Sequence, residues 1–246
     1  MMVNVMRNLL ISLVLVLPLS LQAAESVKLD KAPINPKNKA SLQRGAKIFV
    51  NYCLNCHSAA HMRYNRLAEI GLSEEQIEAN LLFTADKIGD TMTAAMTRQD
   101  GVAWFKAAPP DLSVEARARG ADWLYSYMRG FYRDNTTLTG WNNVVFDKVA
   151  MPHVLWQLQG EQVLKPEAEA GQHNASATSR LVMDKPGILS PQEYNALVAD
   201  LVNYMVFMSE PAKQQRLHLG IFVLLFLGVL LVLTYFLKKE FWKDIQ

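Results

Sequence analysis

The sequence predicts a mainly α protein that consists of one globular domain and one carboxy-terminal transmembrane helix. Two helix starts are complete in the sequence, because Ser73 and Ser190 are each followed three positions later by a Gln or Glu that can close a capping box. The run 217–237 contains no Asp, Glu, Lys or Arg and, at about 20 residues, can span a bilayer. The length of 246 residues fits one ordinary domain plus this span.

The first apolar run predicts a secretory signal peptide over residues 1–24. Arg7 precedes an apolar core at 9–17, and small residues follow up to Ala23 and Ala24. The core is shorter than the span of about 20 residues that a bilayer needs, so an uncleaved anchor is disfavoured. Cleavage after either alanine fits, and the bond stays open. The domain is therefore predicted to lie outside the cytoplasm.

The composition excludes some classes of function. The chain is 50% hydrophobic and 20% charged, with a formal net charge of +2. This near balance does not indicate a nucleic-acid partner, for which a strongly basic domain is typical. The hydrophobic excess lies in the two terminal runs, which makes membrane lipid an expected partner.

The segment from 25 to 39 is polar and contains Pro33 and Pro36, so it predicts an extended lead-in. Apolar residues then recur at helical spacing between 40 and 50, which predicts a helix that runs into the next motif. Gly45 inside this helix costs about 1 kcal/mol relative to Ala and indicates a close helix crossing. We expect its partners to be Leu201 and Tyr204.

The stretch Cys53-Leu54-Asn55-Cys56-His57 is typical of a c-type haem attachment site. Two thiols at this spacing can each form a thioether with one haem, and the following imidazole can bind the iron. A redox dithiol or half of a zinc site would also place two sulfurs on one turn. However, the sequence contains only these 2 cysteines, and a redox dithiol has no need of His57. We therefore predict one covalently attached haem c.

The middle of the chain predicts short helices joined by loops. The Ser73 capping box predicts a helix through about Phe83, and 84–108 predicts loops with one short helix. Ala108-Pro109-Pro110-Asp111-Leu112-Ser113 predicts a rigid turn that leads into a helix capped by Asp111 or Ser113. An apolar and aromatic stripe from 123 to 131 then predicts a helix that packs in the core.

Met151 is the residue best placed by sequence to fill the sixth coordination position of such a haem. A thioether is a soft ligand that favours ferrous iron and raises the reduction potential. Pro152 keeps Met151 extended in an irregular segment, from which one side chain can lie over a flat ring. The residues alone leave four rivals open. They are Met92, Met96, Met183 and His153.

The last third of the chain predicts a loop, a helix and the anchor. Residues 160–180 are polar and predict a surface loop or hairpin, in which His173 is solvated. Ser190-Pro191-Gln192-Glu193 predicts a helix start, and Pro211 predicts its end. The chain therefore divides into a signal peptide at 1–24, a periplasmic haem domain at 25–210 and an anchor with a short cytoplasmic tail at 211–246.

Four stretches together resemble cytochrome c1, the haem subunit of the quinol:cytochrome c reductase, in its bacterial branch. They are 44–58, 108–113, 117–125 and 150–152. The resemblance covers nearly the whole chain and implies a class I-like cytochrome c domain with long loops. It implies that Cys53 and Cys56 hold the haem and that His57 and Met151 are its axial ligands. Two departures, at 104–107 and at Gly120-Ala121, affect minor haem contacts and leave the ligands unaltered.

The same resemblance implies that Pro110 lies against the ring and that Arg119 pairs with a propionate. A guanidinium can pair with a carboxylate through two hydrogen bonds, which fits that role.

The resemblance also implies a function in one-electron transfer. The chain would accept an electron from a Rieske iron–sulfur protein, beside cytochrome b, and pass it to a soluble or membrane-bound cytochrome c. It would lie in the bacterial inner membrane and act enzymatically only as part of the complex. One alternative is an anchored cytochrome that supplies a terminal oxidase without such a complex. Another is a haem-based gas sensor, which would need an open sixth position and an output domain.

Overall fold

Most of the regular structure is helical, as the sequence predicts. The structure is a computed structural model that describes residues 27–165 and 176–243, so the signal peptide predicted at 1–24 and His173 lie outside the described residues. The helices in chain order are α1 (Lys39–Ile48), α2 (Glu74–Asn80), α3 (Arg98–Phe105), α4 (Glu115–Arg119), α5 (Ala121–Arg129), α6 (Trp156–Gln159), α7 (Pro191–Ser209) and α8 (Lys213–Phe241).

Within the described residues, six short strands form three separate antiparallel pairs. The strands are β1 (Ala59–Arg63), β2 (Thr91–Met92), β3 (Phe131–Arg133), β4 (Trp141–Asn143), β5 (Gly160–Leu164) and β6 (Leu181–Pro186). The β5–β6 pair agrees with the prediction of a surface loop or hairpin over 160–180, and its second strand continues to Pro186. Strand β2 lies in the stretch 84–108, for which the sequence predicted loops, and β3 begins at Phe131, where the sequence predicted the end of a helix. The sequence made no prediction for the segments that form β1 and β4. Helix α5 ends at Arg129 with Gly130 as its C-cap, so Phe131 begins β3 and does not belong to the predicted helix.

The crossing of α1 and α7 is the framework of the domain. A Cβ added at Gly45 would lie 2.6 Å from the Cβ of Tyr204 and would overlap the carbonyl oxygen of Asp200. The Arg44 guanidinium donates two hydrogen bonds, of 2.5 and 3.0 Å, to the Asp200 carboxylate across the same crossing. The prediction that Gly45 allows a close crossing is confirmed for Tyr204, and the second residue opposite is Asp200 rather than Leu201.

Both predicted capping boxes are present. Ser73 and Ser190 each accept from the third helical residue, whose side chain bonds back to the cap. Helix α2 ends at Asn80, three residues before the predicted end at Phe83. The proline-rich turn differs from its prediction, because α4 begins at Glu115 and has no side-chain cap from Asp111 or Ser113. The Asp111 carboxylate instead accepts hydrogen bonds from the backbone of Ser113 and Ala60, both 2.8 Å.

Helix α1 continues without a break into the attachment motif. Its N-cap, Asn38, accepts a hydrogen bond from the Ser41 amide, and the end of the helix widens into a π-helical turn at Phe49–Cys53. Phe49 is fully buried and its ring packs against that of Tyr204, with centroids 5.5 Å apart. The crossing of α1 and α7 therefore fixes the position from which the motif starts.

The extended lead-in is tied to α5. The Asp30 amide donates to the Ser126 hydroxyl over 2.7 Å, and the Ala32 amide donates to the Asp122 carboxylate over 2.9 Å. Arg129, at the end of α5, forms a part-buried ion pair with Asp30 at 2.9 Å. These contacts hold the segment after the predicted cleavage region against the helix that forms one wall of the site.

Helix α8 leaves the domain after a charged junction. Glu210 accepts from Arg216 over 2.6 Å and lies 3.4 Å from Arg117 on α4. Within the described chain, Arg216–Phe241 is one 26-residue helix that is long and apolar enough to cross a membrane, and none of its most apolar window is buried. Its length and composition agree with the predicted anchor.

Candidate haem site

A largely apolar cavity of about 300 Å³ lies between the attachment motif, the proline-rich turn, α5 and the segment around Met151. It brings together all the site residues that the sequence named. Those residues are Cys53, Cys56, His57, Pro110, Arg119 and Met151. They come from four separate stretches, so their convergence is a property of the fold and not of sequence proximity.

The two cysteines and the histidine share one tight turn. The amides of Cys56 and His57 both donate to the carbonyl of Cys53, over 3.1 and 2.8 Å. Both thiols are free. Burial raises the pKa of Cys53 to about 12, and it also raises the pKa of Cys56 above its ordinary value. A redox dithiol needs a thiol with a lowered pKa, so the environment does not fit that alternative. Among residues 27–165 and 176–243, no group of three His, Cys, Asp or Glu residues lies close enough together to hold a metal ion.

His57 is oriented by the proline-rich turn. Its Nδ1 lies 2.8 Å from the carbonyl oxygen of Pro110. A carbonyl only accepts, so Nδ1 carries the hydrogen and Nε2 keeps a free lone pair. A ligand imidazole is usually oriented in this way through its other nitrogen. Burial lowers the pKa of His57, which favours the neutral form that can bind iron.

The turn that carries this carbonyl is itself fixed. Besides the hydrogen bonds to Asp111, the Leu112 amide donates to the carbonyl of Ser58 over 2.8 Å. The residues that follow His57 and those that follow Pro110 are thus hydrogen-bonded to each other. The imidazole has little freedom to rotate away from the cavity.

Arg119 lies at the rim of the cavity with its guanidinium over the Trp123 ring, 4.4 Å from the centroid. Its Nε donates to the Glu115 carboxylate one helical turn earlier over 2.6 Å. The remaining guanidinium nitrogens are donors that a carboxylate at the rim can accept. Glu115 was not singled out by sequence, although its spacing of four residues from Arg119 on a helix is the signal for this pair.

Two adjacent asparagines hold the loop that leads to Met151. Asn142 and Asn143 are 5% and 2% exposed, although they are polar. The Asn142 side-chain oxygen accepts from the amide of Lys148, which has a positive φ of 56°, and the Asn143 oxygen accepts from the amide of Val145. The sequence did not single out this pair, because an Asn-Asn is also typical of an exposed turn. The available signal was its position between apolar residues.

Met151 is half-buried in an irregular segment and lines the cavity, in agreement with the prediction. The Tyr127 hydroxyl donates a hydrogen bond to its sulfur over 3.4 Å. The rivals Met92, Met96 and Met183 do not line the cavity; Met92 lies fully buried against Tyr204.

Two methionines on helices, Met128 and Met205, do line the cavity and were not among the rivals. They are 7% and 4% exposed and pack in the core.

His153 does not line the cavity either. It is 1% exposed and stacks on the ring of Phe131, with centroids 4.8 Å apart and an interplanar angle of 3°. Burial lowers its pKa to about 4, so the imidazole is neutral. The His153 side chain therefore packs in the core and does not border the cavity, where an iron ligand would have to lie.

The site fits a c-type haem in shape and in chemistry. The walls are apolar, a thiol pair lies on one edge, and an imidazole nitrogen with a free lone pair and a thioether sulfur both border the cavity. Soft thioether and imidazole donors are the ligands of electron-carrying c-type haems.

The comparisons with known proteins agree with this geometry. The model of the cytochrome C1 family matches residues 30–163 and 188–245. A cytochrome c1 of Allochromatium vinosum is 46% identical over 246 residues, which cover 98% of this chain and 100% of that protein. A protein of Nitrosomonas europaea named ammonia monooxygenase gamma subunit is 54% identical over 243 residues, which cover 99% of this chain and 100% of that protein. A cytochrome c1 of Rhodospirillum rubrum is 30% identical over 85% of this chain and 83% of its own length.

Proposed function

The chain belongs to the cytochrome c1 family, and from this premise we propose that it carries single electrons from a Rieske iron–sulfur protein to a soluble or membrane-bound cytochrome c. It is the haem-bearing subunit of a bc1 complex, and its cofactor is a covalently bound haem c. Its mainly helical structure with one long apolar helix fits a class I-like cytochrome fold. The electron donor, the acceptor and the residues that serve them are our proposals.

The observation that carries the proposal is the convergence of an attachment motif and a thioether on one apolar cavity. Cys53 and Cys56 would form the thioether bonds, and Nε2 of His57 would bind the iron from the side of the motif. Met151 would bind from the loop that Asn142 and Asn143 hold. The haem supplies a one-electron exchange between Fe(III) and Fe(II).

With His57 and Met151 as its two axial ligands, the iron would have no open position for a substrate or a gas. This arrangement would support electron transfer and disfavour the gas-sensor alternative. Met151 would raise the reduction potential because a thioether favours Fe(II). The apolar walls exclude water and act in the same direction, because burial disfavours the form with the greater charge. Arg119 would pair with a propionate at the rim, and Pro110 would pack on the ring while it orients His57.

The proposed orientation of the chain in the membrane rests on the predicted signal peptide and on the carboxy-terminal anchor. Residues 1–24 would be the signal peptide, 25–210 the periplasmic domain and 211–246 the anchor with a short cytoplasmic tail. Lys238 and Lys239 in the last turn of α8 would lie at the cytoplasmic interface of the bacterial inner membrane. Attachment of haem by thioethers on the periplasmic side agrees with this orientation.

A second assignment has a specific observation in its favour. The relative from N. europaea is named as a subunit of a monooxygenase, and its 54% identity covers nearly this whole chain. A haem domain of this kind could supply electrons to such an enzyme, or to a terminal oxidase, without cytochrome b. The site residues would have the same roles in each case, and only the electron donor and acceptor would differ.

Purification of the intact membrane complex separates these assignments. The chain is isolated from membranes in mild detergent through a tag after Gln246, and the subunits and haems that accompany it are identified. A multi-haem b subunit and a Rieske subunit, with reduction of the c-type haem by quinol, are the expected result. Oxidase or monooxygenase subunits in their place, with no b-type haem, would overturn the assignment to this complex.

A further inference from the structure

The Tyr127 hydroxyl lies 3.4 Å from the Met151 sulfur, and both side chains line the cavity. A phenol is a strong donor and a thioether is only a weak acceptor, so the direction of this hydrogen bond is unambiguous. A thioether sulfur has two lone pairs. One can bind iron while the other accepts from the phenol, so the two interactions are compatible.

Three neighbours hold the Tyr127 ring and backbone. The ring stacks on Trp123, one turn earlier on α5, with centroids 4.8 Å apart and an angle of 11°. It meets Phe131 nearly edge-on, with centroids 5.1 Å apart. The Asn143 side chain donates to the Tyr127 carbonyl over 2.8 Å. These contacts fix the position of the ring before any ligand binds, and the Tyr127 carbonyl accepts from the same asparagine that holds the loop before Met151.

Met151 needs such a support. Methionine has three rotatable bonds and no branch, so an unassisted side chain on an irregular loop samples many positions. Its segment contains no helix, and its preceding loop is held at the backbone by Asn142 and Asn143 rather than at the sulfur. The hydroxyl of Tyr127 is the contact that acts on the sulfur itself.

We propose that Tyr127 is a positioning residue for Met151, whose hydroxyl holds the sulfur over the cavity and shifts the redox equilibrium toward the ferrous state. This inference rests on the proposed role of Met151 as axial ligand. The hydrogen bond draws electron density from the sulfur, which weakens its donation to Fe(III) more than to Fe(II). The positive end of the phenol O–H dipole points at the Met151 sulfur, and with the iron bound to that sulfur it would disfavour the extra charge of Fe(III).

The test compares Tyr127→Phe with the wild type in the full membrane-bound holoprotein. The phenylalanine keeps the stacking on Trp123 and removes only the hydroxyl. Loss of one buried hydrogen bond is expected to shift the ratio of ferric to ferrous protein about threefold to tenfold toward ferric. For one electron, a tenfold shift corresponds to a potential lower by about 59 mV. The ferric variant is also expected to bind added imidazole at lower concentration, because Met151 is held less firmly.

The matched control is Tyr204→Phe. Tyr204 is also buried and also donates to a methionine sulfur, that of Met92 at 3.6 Å, but neither residue lines the cavity. This variant removes a hydrogen bond of the same chemistry at a different place. Its potential and its imidazole affinity are expected to match the wild type, although its stability decreases.

Four outcomes have distinct meanings. A lower potential and tighter imidazole binding in Tyr127→Phe alone support the proposal. Equal changes in both variants indicate a general effect of destabilisation and overturn it. An unchanged Tyr127→Phe overturns it while the proposed function stands. If Tyr127→Phe still shifts the potential in a Met151→Leu background by the same amount, the hydroxyl does not act through Met151, and the proposal fails. The separate proposal that Met151 is an axial ligand is overturned if the wild type lacks the sulfur-to-iron absorption band.

Discussion

Replacement of Gly45 by alanine tests the helix crossing from which the attachment motif starts. The added methyl group would lie 2.6 Å from the Tyr204 Cβ, whereas ordinary contact begins at 3.4 Å, so the helices must separate by at least about 0.8 Å at this point, and by more to clear the carbonyl oxygen of Asp200. The other obstacle is the backbone oxygen of Asp200, which no rotamer change can move.

The magnitude follows from two opposing effects. Overpacking costs about 1–3 kcal/mol, and the upper end applies because the opposing atoms belong to backbone and Cβ. Alanine recovers about 1 kcal/mol of helix propensity. The net loss in the free energy of unfolding is about 2 kcal/mol, which lowers Tm by about 4–8 °C in a domain of this size.

Thermal unfolding of the detergent-solubilised holoprotein, followed by circular dichroism, measures this loss. The matched control is Gly89→Ala, because no atom lies within 4 Å of a Cβ added at that position. The control is expected to stay within about 0.5 kcal/mol of the wild type. If Gly45→Ala melts with the control or above it, α1 and α7 do not cross at Gly45, and the reasoning is refuted.

Three further substitutions test the N-cap of α7, the rim of the cavity and the hydrogen-bonded carboxylate of the proline-rich turn. Ser190→Ala removes the N-cap of α7 and is expected to cost about 1 kcal/mol of unfolding free energy, measured by denaturant titration; an unchanged midpoint would contradict the observed cap. Arg119→Gln removes a cation at the cavity rim and is expected to lower the reduction potential, because a positive charge near the iron favours Fe(II); a potential equal to that of the wild type would exclude a propionate contact. Burial raises the pKa of Asp111, but hydrogen bonds from Ser113 and Ala60 outweigh it and lower that pKa below its ordinary value. The stability from this carboxylate is complete above the ordinary pKa of about 3.9 and is lost as pH falls through the lower pKa of the folded state. Asp111→Asn is therefore expected to reduce the dependence of Tm on pH in this acidic range. An equally steep dependence in the variant would contradict this.

The attachment motif and the extended segment of Met151 could be predicted from local chemical signals, whereas Pro110 and Arg119 were implied only by the family resemblance. The spacing of Cys53, Cys56 and His57 has few other uses, and Pro152 marks Met151 as part of an extended segment. The caps at Ser73 and Ser190 were predictable for the same reason, since a capping box is complete within four residues. In each case the deciding interaction lies within one turn of chain.

The β1–β2 and β3–β4 pairs and the supports of Met151 could not be predicted, because they depend on distant parts of the chain, whereas a hairpin near 160–180 was allowed by the sequence. The strands have two to six residues, too few for an alternating pattern, and β1 pairs irregularly with β2. The Asn143 side chain joins the Tyr127 carbonyl to the loop after β4, a contact that exists only once α5 and that loop are packed. The hydroxyl of Tyr127 reaches Met151 for the same reason, although the sequence places Tyr127 only in an apolar stripe.

The central claim is that His57 and Met151 hold the iron of one covalently bound haem. A redox-titrated optical spectrum of the membrane-bound protein beside its Met151→Leu variant tests it most directly. We expect the wild type to show the weak long-wavelength band of sulfur-to-iron ligation and a high reduction potential. The variant is expected to lose the band and the high potential while it keeps its thioether-bound haem. An unaltered spectrum and potential in the variant would contradict the account and would assign the sixth position to another residue, with Met128 and Met205 next to be tested.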